Sequence, residues 1–312
     1  MCEVNQTQVT QVQLLGFRGL YKFKILLFTV FLLTYIVIVT ANIVIITLVS
    51  TVDHLKIPMF FFLKHLAIYD VLMTSTVVPL ALNIVTHEEG RISLASCIIQ
   101  LYSLCIITYL QCFLIAAMSY DRYLAICHPL RYPSLMNSNV FLHLVLGFWV
   151  IVIILESSEI TVLWQLHFCG LNFIDHFFCD YYPLIGLSTS DPSTLLTYDL
   201  FITIVTELLP FIFIILTYLC ISVAILKISS SSGRRKAFST CSSHLATVCT
   251  YYGSLIIIYM VPSDENSAST NKYRTLLYIV VSPLMNPIIY SLRNHEIKRA
   301  MHKLLTRFKT CI

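Results

Sequence analysis

The chain has 312 residues, of which 57% are hydrophobic and 12% charged, with a formal net charge of +4. Soluble domains carry roughly 25% charged residues. Half that share over so long a chain, with a mean hydropathy of +0.81, excludes an ordinary water-soluble globule and points to a polytopic membrane protein.

In chain order, the first 24 residues are polar and basic, with a glycosylation sequon at Asn5-Gln6-Thr7 and no apolar h-region. The first span is therefore expected to act as a signal anchor. Seven apolar stretches follow: Ile25 to Val49, Pro58 to Val85, Leu94 to Met118, Val140 to Ile160, Tyr198 to Leu226, Phe238 to Val261 and Tyr273 to Leu292. Each is long enough to cross a hydrocarbon layer of about 30 Å as a helix. None alternates with period two, which argues against a β-barrel. The tail, residues 293–312, sets Ile297, Met301, Leu304, Leu305 and Phe308 on one helical face with basic residues opposite. That pattern predicts a short amphipathic helix on the membrane surface. The fold class expected is an all-α membrane protein: a seven-transmembrane helix bundle with a short C-terminal amphipathic helix. With 8 glycines and no Gly/Ser linker, residues 1–312 read as one domain.

Basic residues set the orientation. Of the 20 Lys and Arg, 14 fall in the first, third and fifth connections and the tail, and 6 in the N-terminal segment and the second and sixth connections. The richer side is expected to be cytoplasmic, which leaves residues 1–24 extracellular and agrees with a lumenal sequon at Asn5.

The 11 cysteines lie mostly inside apolar runs and show neither a CxxC pair nor zinc spacing. No cofactor, metal or nucleic acid is called for. A transporter would show paired repeats and broken helices in both halves, a channel a filter or charged ring, and an enzyme a signature such as HExxH or GxSxG. The sequence carries none of these convincingly.

Charges inside the spans are few and therefore informative. Asp70 sits mid-span. The stretch MSYDRYLAIC places Asp121, Arg122 and Tyr123 at the inner end of the third span. Taken alone, that pair reads equally as a switch or as a topology anchor. Pro287 breaks the seventh span and frees backbone groups near the depth of Asp70.

Four motifs occur in order: PMFFFLKHLAIYD (Pro58 to Asp70), MSYDRYLAICHPLRYPSLM (Met118 to Met136), KAFSTCSSHL (Lys236 to Leu245) and PLMNPIIYSLRN (Pro283 to Asn294). With these the chain resembles the olfactory receptors, a branch of the rhodopsin-class G-protein-coupled receptors. KAFSTCSSHL, and Tyr252-Gly253 where other members of the class have a Trp-containing motif, disfavour a non-olfactory receptor. The resemblance implies a small volatile odorant as ligand, and an olfactory stimulatory heterotrimeric G protein and membrane lipid as partners. Asp121, Arg122, Tyr123, Tyr218, Lys236, His244, Asn286, Pro287 and Tyr290 would form the G-protein switch. Asn42, Asp70 and Gln111 would form the polar core.

The resemblance also implies a disulfide between Cys97 and Cys179. It places the ligand pocket at the height of Thr108 and Tyr252, which lie about 21 Å above Arg122 and about 24 Å above Lys236 at the helical rise of 1.5 Å per residue. The residues expected to line it are Leu104, Cys105, Thr108, Tyr109, Ile202, Thr206, Glu207, Tyr252, Leu255, Ile256, Tyr259, Leu276 and Ile279, although each reads equally well as helix-packing core. Glu207 could meet a ligand cation or face solvent.

The chain departs from the family pattern in places. Thr189 stands where a second loop cysteine is usual, leaving Cys169 odd unless Cys2 reaches it. Ala41, Ala67 and Thr217 replace the usual Gly, Ser and Ser. Gln111 replaces a frequent Glu, which predicts a weak sodium response at Asp70.

Overall fold

The computed structural model describes residues 8–260, 268–294 and 296–302, apart from the side chains at 138, 236, 240, 259–260, 268–271 and 292–293. Asn5 and Cys2 lie outside the described residues, as do Leu304, Leu305 and Phe308. Lipid offers no partner to backbone N–H and C=O groups, so a spanning segment satisfies them within its own helix. The apolar stretches accordingly form α1 (Lys24–Thr51), α2 (Pro58–His87), α3 (Leu94–Cys127), α4 (Ser138–Leu163), α5 (Ser193–Leu226), α6 (Ser231–Met260) and α7 (Ala268–Arg293).

Six helices of the described residues are long and apolar enough to cross a membrane, and Lys272–Ser291 makes a seventh when taken with Glu296–His302, across a bend of 84°. The short piece after the bend, α8 (Glu296–His302), buries Ile297 and Ala300 against the bundle. Local signals start the helices. Pro58 occupies the first turn of α2, where its missing N–H costs nothing. Ser93 caps α3 by accepting from the Ser96 amide at 3.0 Å, and Asn137 caps α4 by accepting from the Val140 amide at 3.1 Å.

The third helix is the axis of the bundle. In its most apolar window 56% of residues are buried, against 28% in α1, and it packs on α2, α4, α5 and α6. The outward faces stay apolar. Leu33, Ile36, Val37 and Ile43 on α1 and Leu146, Val150 and Ile154 on α4 are all exposed, as lipid-facing positions require.

One element was not foreseen. Three short strands cap one end of the bundle: β1 (Gln11–Leu14), β2 (Gly90–Ser93) and β3 (Phe173–Ile174), in the order β2-β1-β3. β1 pairs antiparallel with β2 (Gln11 opposite Ser93) and parallel with β3 (Gln13 opposite Phe173). The signal was the alternation in Gln11-Val12-Gln13-Leu14, which buries Val12 and Leu14 and leaves Gln11 exposed. Two helices separate β1 from β2, and two more separate β2 from β3. All three strands can therefore share one face of a membrane.

Candidate functional site: a polar axis through the helix bundle

At the uncapped end, Asp121 and Arg122 are both buried at the last turns of α3. The guanidinium of Arg122 donates from Nε to Oδ2 of Asp121 at 3.0 Å and from Nη2 to the same oxygen. Tyr132, on the short helical turn Tyr132–Leu135 that follows α3, donates its hydroxyl to Oδ1 at 2.8 Å. Both carboxylate oxygens are thus occupied. Separating a buried, hydrogen-bonded ion pair costs roughly 3–5 kcal/mol unless a new partner arrives. Tyr123 does not join this pair. Its hydroxyl meets Nε2 of His128 at 3.0 Å instead.

Beside the pair, His244 on α6 bridges two other helices. Its Nε2 lies 3.2 Å from the carbonyl of Ile115 on α3 and its Nδ1 lies 2.7 Å from the hydroxyl of Tyr218 on α5. Tyr290 on α7 is fully buried, and its hydroxyl has no hydrogen-bond partner. The backbone of Lys236 sits on α6, but its side chain is not among those described.

Halfway along the axis Asp70 is completely buried. Gln111 donates its side-chain amide to Oδ1 at 2.9 Å, and Asn286 donates to Oδ2 at 2.9 Å. These two amides tie α2, α3 and α7 together. Asn42, expected in the same cluster, acts differently. Pro287 has no N–H, so the carbonyl four residues earlier, that of Pro283, loses its helical donor. The Asn42 amide supplies the missing bond at 3.1 Å and also donates to its own helix at Ile38, 3.0 Å away.

Toward the capped end, α3, α6 and α7 meet at Thr108. Tyr251 donates to the Thr108 carbonyl at 2.9 Å, and the Tyr278 hydroxyl lies 3.1 Å from Thr108 Oγ1. Leu104, Tyr109, Ile202, Thr206, Tyr252, Leu255 and Ile279 are buried around this junction, with Cys105, Glu207 and Leu276 partly so. Tyr252 packs on Phe211 with ring centroids 4.6 Å apart. Ile256 corrects the expected lining: it is 47% exposed, because it lies one residue past Leu255 and so turns about 100° away from the interior. The side chain of Tyr259 is not among those described. Thr206 and Glu207 sit in a π-helical turn, Ile204–Leu208, inside α5. Such turns re-aim side chains within a helix.

The cap is fastened covalently and electrostatically. Cys97 at the start of α3 is bonded to Cys179 in the loop between α4 and α5. Cys179 is therefore not a free thiolate. Cys169 is disulfide-bonded too, so of the two alternatives open in the sequence it is not the odd cysteine. The one partner suggested by the sequence, Cys2, lies outside the described residues. Lys272 on α7 donates to Oδ1 of Asp175 and to the carbonyl of Gly16, both at 2.6 Å. Gly16 adopts a positive φ of 58° at this turn, and a Cβ there would clash with the Ile84 side chain. Burial, aided by the Lys272 charge, pushes the His176 imidazole down to about 3. Burial pushes the nearby Asp180 carboxyl up to about 6.

A family model described as olfactory receptor matches residues 31–308. The chain belongs to the olfactory receptor family. Human olfactory receptor 11A1 is 40% identical over 96% of the chain and 95% of its own length. Human olfactory receptor 11L1 is 43% identical over 97% and 94%, and rat olfactory receptor 1f45 is 41% identical over 98% and 97%. This olfactory receptor is thus a multi-pass membrane protein and not an enzyme. Sequence reasoning missed Tyr132, Tyr251, Tyr278 and Lys272. The two tyrosines of the junction stand one residue from two expected positions, Tyr252 and Ile279, which are themselves buried.

Proposed function

We propose that this olfactory receptor binds a small volatile odorant within the helix bundle and, in response, activates an olfactory stimulatory heterotrimeric G protein, raising cAMP. The observation that carries the reading is the buried pair of Arg122 with Asp121. It is a charge held at the bundle end, beside the Tyr218–His244 contact that links the ends of α5 and α6. A ligand that shifts packing near Thr108 acts on α3, α6 and α7 at once, the helices that also carry Arg122, His244 and Asn286. The capped end is then extracellular and the Arg122 end cytoplasmic, as the distribution of basic residues favours. Asn5 is the proposed glycosylation position. The mostly apolar residues around Thr108, with a few hydroxyls, suit a small apolar ligand with one polar group.

The test is cAMP in cells that co-express the receptor and the olfactory stimulatory G protein, screened against a broad odorant panel. A response abolished by Arg122→Ala at equal surface expression supports the reading. A response that survives Arg122→Ala, or no response from a receptor shown to be at the surface, counts against it.

A further inference from the structure

Two carboxylates of α4 have no place in the polar axis. Glu156 and Glu159 are three residues apart, so they project from one face of the helix. They are 3% and 6% exposed, and the ion pairs formed among the described residues leave both out. Both line a cavity of about 20 Å3 between α3 and α4, roofed by Tyr181 from the loop that carries Cys179. Glu156 Oε1, Glu159 Oε1 and the Tyr181 hydroxyl are all buried without a hydrogen-bond partner. The cavity's other phenol, Tyr102, is already engaged by Ser157 at 3.0 Å. The remaining wall is apolar, with Leu101, Ile160 and Leu163.

Burying a carboxylate with no partner is costly in any low-dielectric setting, and two side by side are costlier. The space holds about one water-sized group. An ammonium group has that size, carries the opposite charge and offers three donors, against three unpartnered oxygens here. We propose that this cavity binds the –NH3+ head of a small protonated alkylamine, with Glu156 and Glu159 as the charged acceptors and Tyr181 as the third. The space admits only the head group, so the alkyl part leaves it past Cys105, which the cavity shares with the expected odorant pocket. The consequence, that amines are agonists of this receptor, rests on the receptor reading. The binding itself does not.

The experiment uses the full-length receptor in lipid nanodiscs at pH 7, with thermal unfolding followed as n-pentylamine hydrochloride is added. Matched 1-pentanol and sodium chloride serve as comparisons. The expected result is a rise in Tm of about 3 °C near ten times the dissociation constant, absent with pentanol or sodium. It is lost in a Glu156→Gln, Glu159→Gln double variant, and retained in Glu207→Gln. Gln keeps the shape and hydrogen-bonding capacity of each side chain, so the double variant is expected to fold and remain measurable. An Ile160→Trp variant fills the cavity with both acids in place, and loss of the shift there supports the same conclusion. Equal shifts from pentylamine and sodium chloride would overturn the amine assignment, as would a shift lost only in Glu207→Gln, or no shift at all. An amine shift without cAMP in cells leaves the site standing and fails the receptor reading. cAMP to neutral odorants without an amine shift does the reverse.

Discussion

The hydroxyl of Tyr218 lies 2.7 Å from Nδ1 of His244, and the two rings stack with centroids 5.8 Å apart. The opposite ring nitrogen faces the Ile115 carbonyl. A carbonyl only accepts, so Nε2 carries the proton and Nδ1 accepts from the tyrosine. One neutral imidazole thereby holds α6 to both α3 and α5. Each such bond contributes roughly 0.5–1.5 kcal/mol. His244→Ala is expected to raise ligand-independent cAMP several-fold at matched surface expression, and Tyr218→Phe to raise it less. A fall in basal signal in both variants would show that the contact belongs to the active arrangement instead.

The two oxygens of Asp70 are already occupied by neutral amide donors from Gln111 and Asn286. A cation entering there competes with them for the carboxylate. Gln111→Glu exchanges a donor for a second carboxylate and should create sodium dependence. Agonist potency in the variant is expected to fall several-fold when sodium replaces potassium in the bath, while the parent receptor changes little. Equal salt responses in the two would contradict this account.

Acid should act on the cap through His176 and Asp180 in opposite directions. The folded-state imidazole sits at about 3, below its unfolded value of about 6.5, so the unfolded chain takes up the proton first and stability falls as pH drops below 6.5. The Asp180 carboxyl sits at about 6, above its unfolded value of about 3.9, so the folded chain takes up that proton first and stability rises as pH drops below 6. Asp180→Asn should therefore make the receptor more acid-sensitive between pH 7 and 5, and His176→Phe less. Melting of each variant in nanodiscs across that range would reveal any inversion of the order.

Cys97 and Cys179 close a loop across 82 positions of sequence. Losing such a crosslink costs roughly 2–5 kcal/mol, a large part of the stability of any single unit. Cys97→Ser should reduce surface expression severely, and Cys97→Ser with Cys179→Ser should do no worse than either alone. Flow cytometry against total expression measures both. A double variant far worse than the singles would mean that the thiols act separately.

The spans were legible because a bilayer imposes one demand on every crossing segment, and length with apolarity meets it visibly. The interior polar residues were legible for the same reason, as exceptions. What could not be read was azimuth. Tyr251 and Tyr252 share a depth, yet one donates to the Thr108 carbonyl and the other packs on Phe211. A helix with lipid on one side and protein on the other carries apolar residues all round, so its sequence holds little phase information. The bond that Asn42 makes to Pro283 was not legible, because the carbonyl it serves is exposed by a proline 245 positions later. Nothing in the sequence singles out Glu156 and Glu159, whose enclosure appears only once α3 and Tyr181 are packed on them.

The order of strands in the cap also bears on how the receptor is made. β1 is the central strand, but it is synthesised first, and its neighbours begin only at residues 90 and 173. The amino-terminal segment therefore has no edge to pair with until α2 has been threaded through the bilayer, and only half its pairing until α4 has followed. The cap can therefore close only after more than half of the polypeptide has been made. A fusion, tag or substitution in residues 8–17 is expected to act first on assembly of the cap.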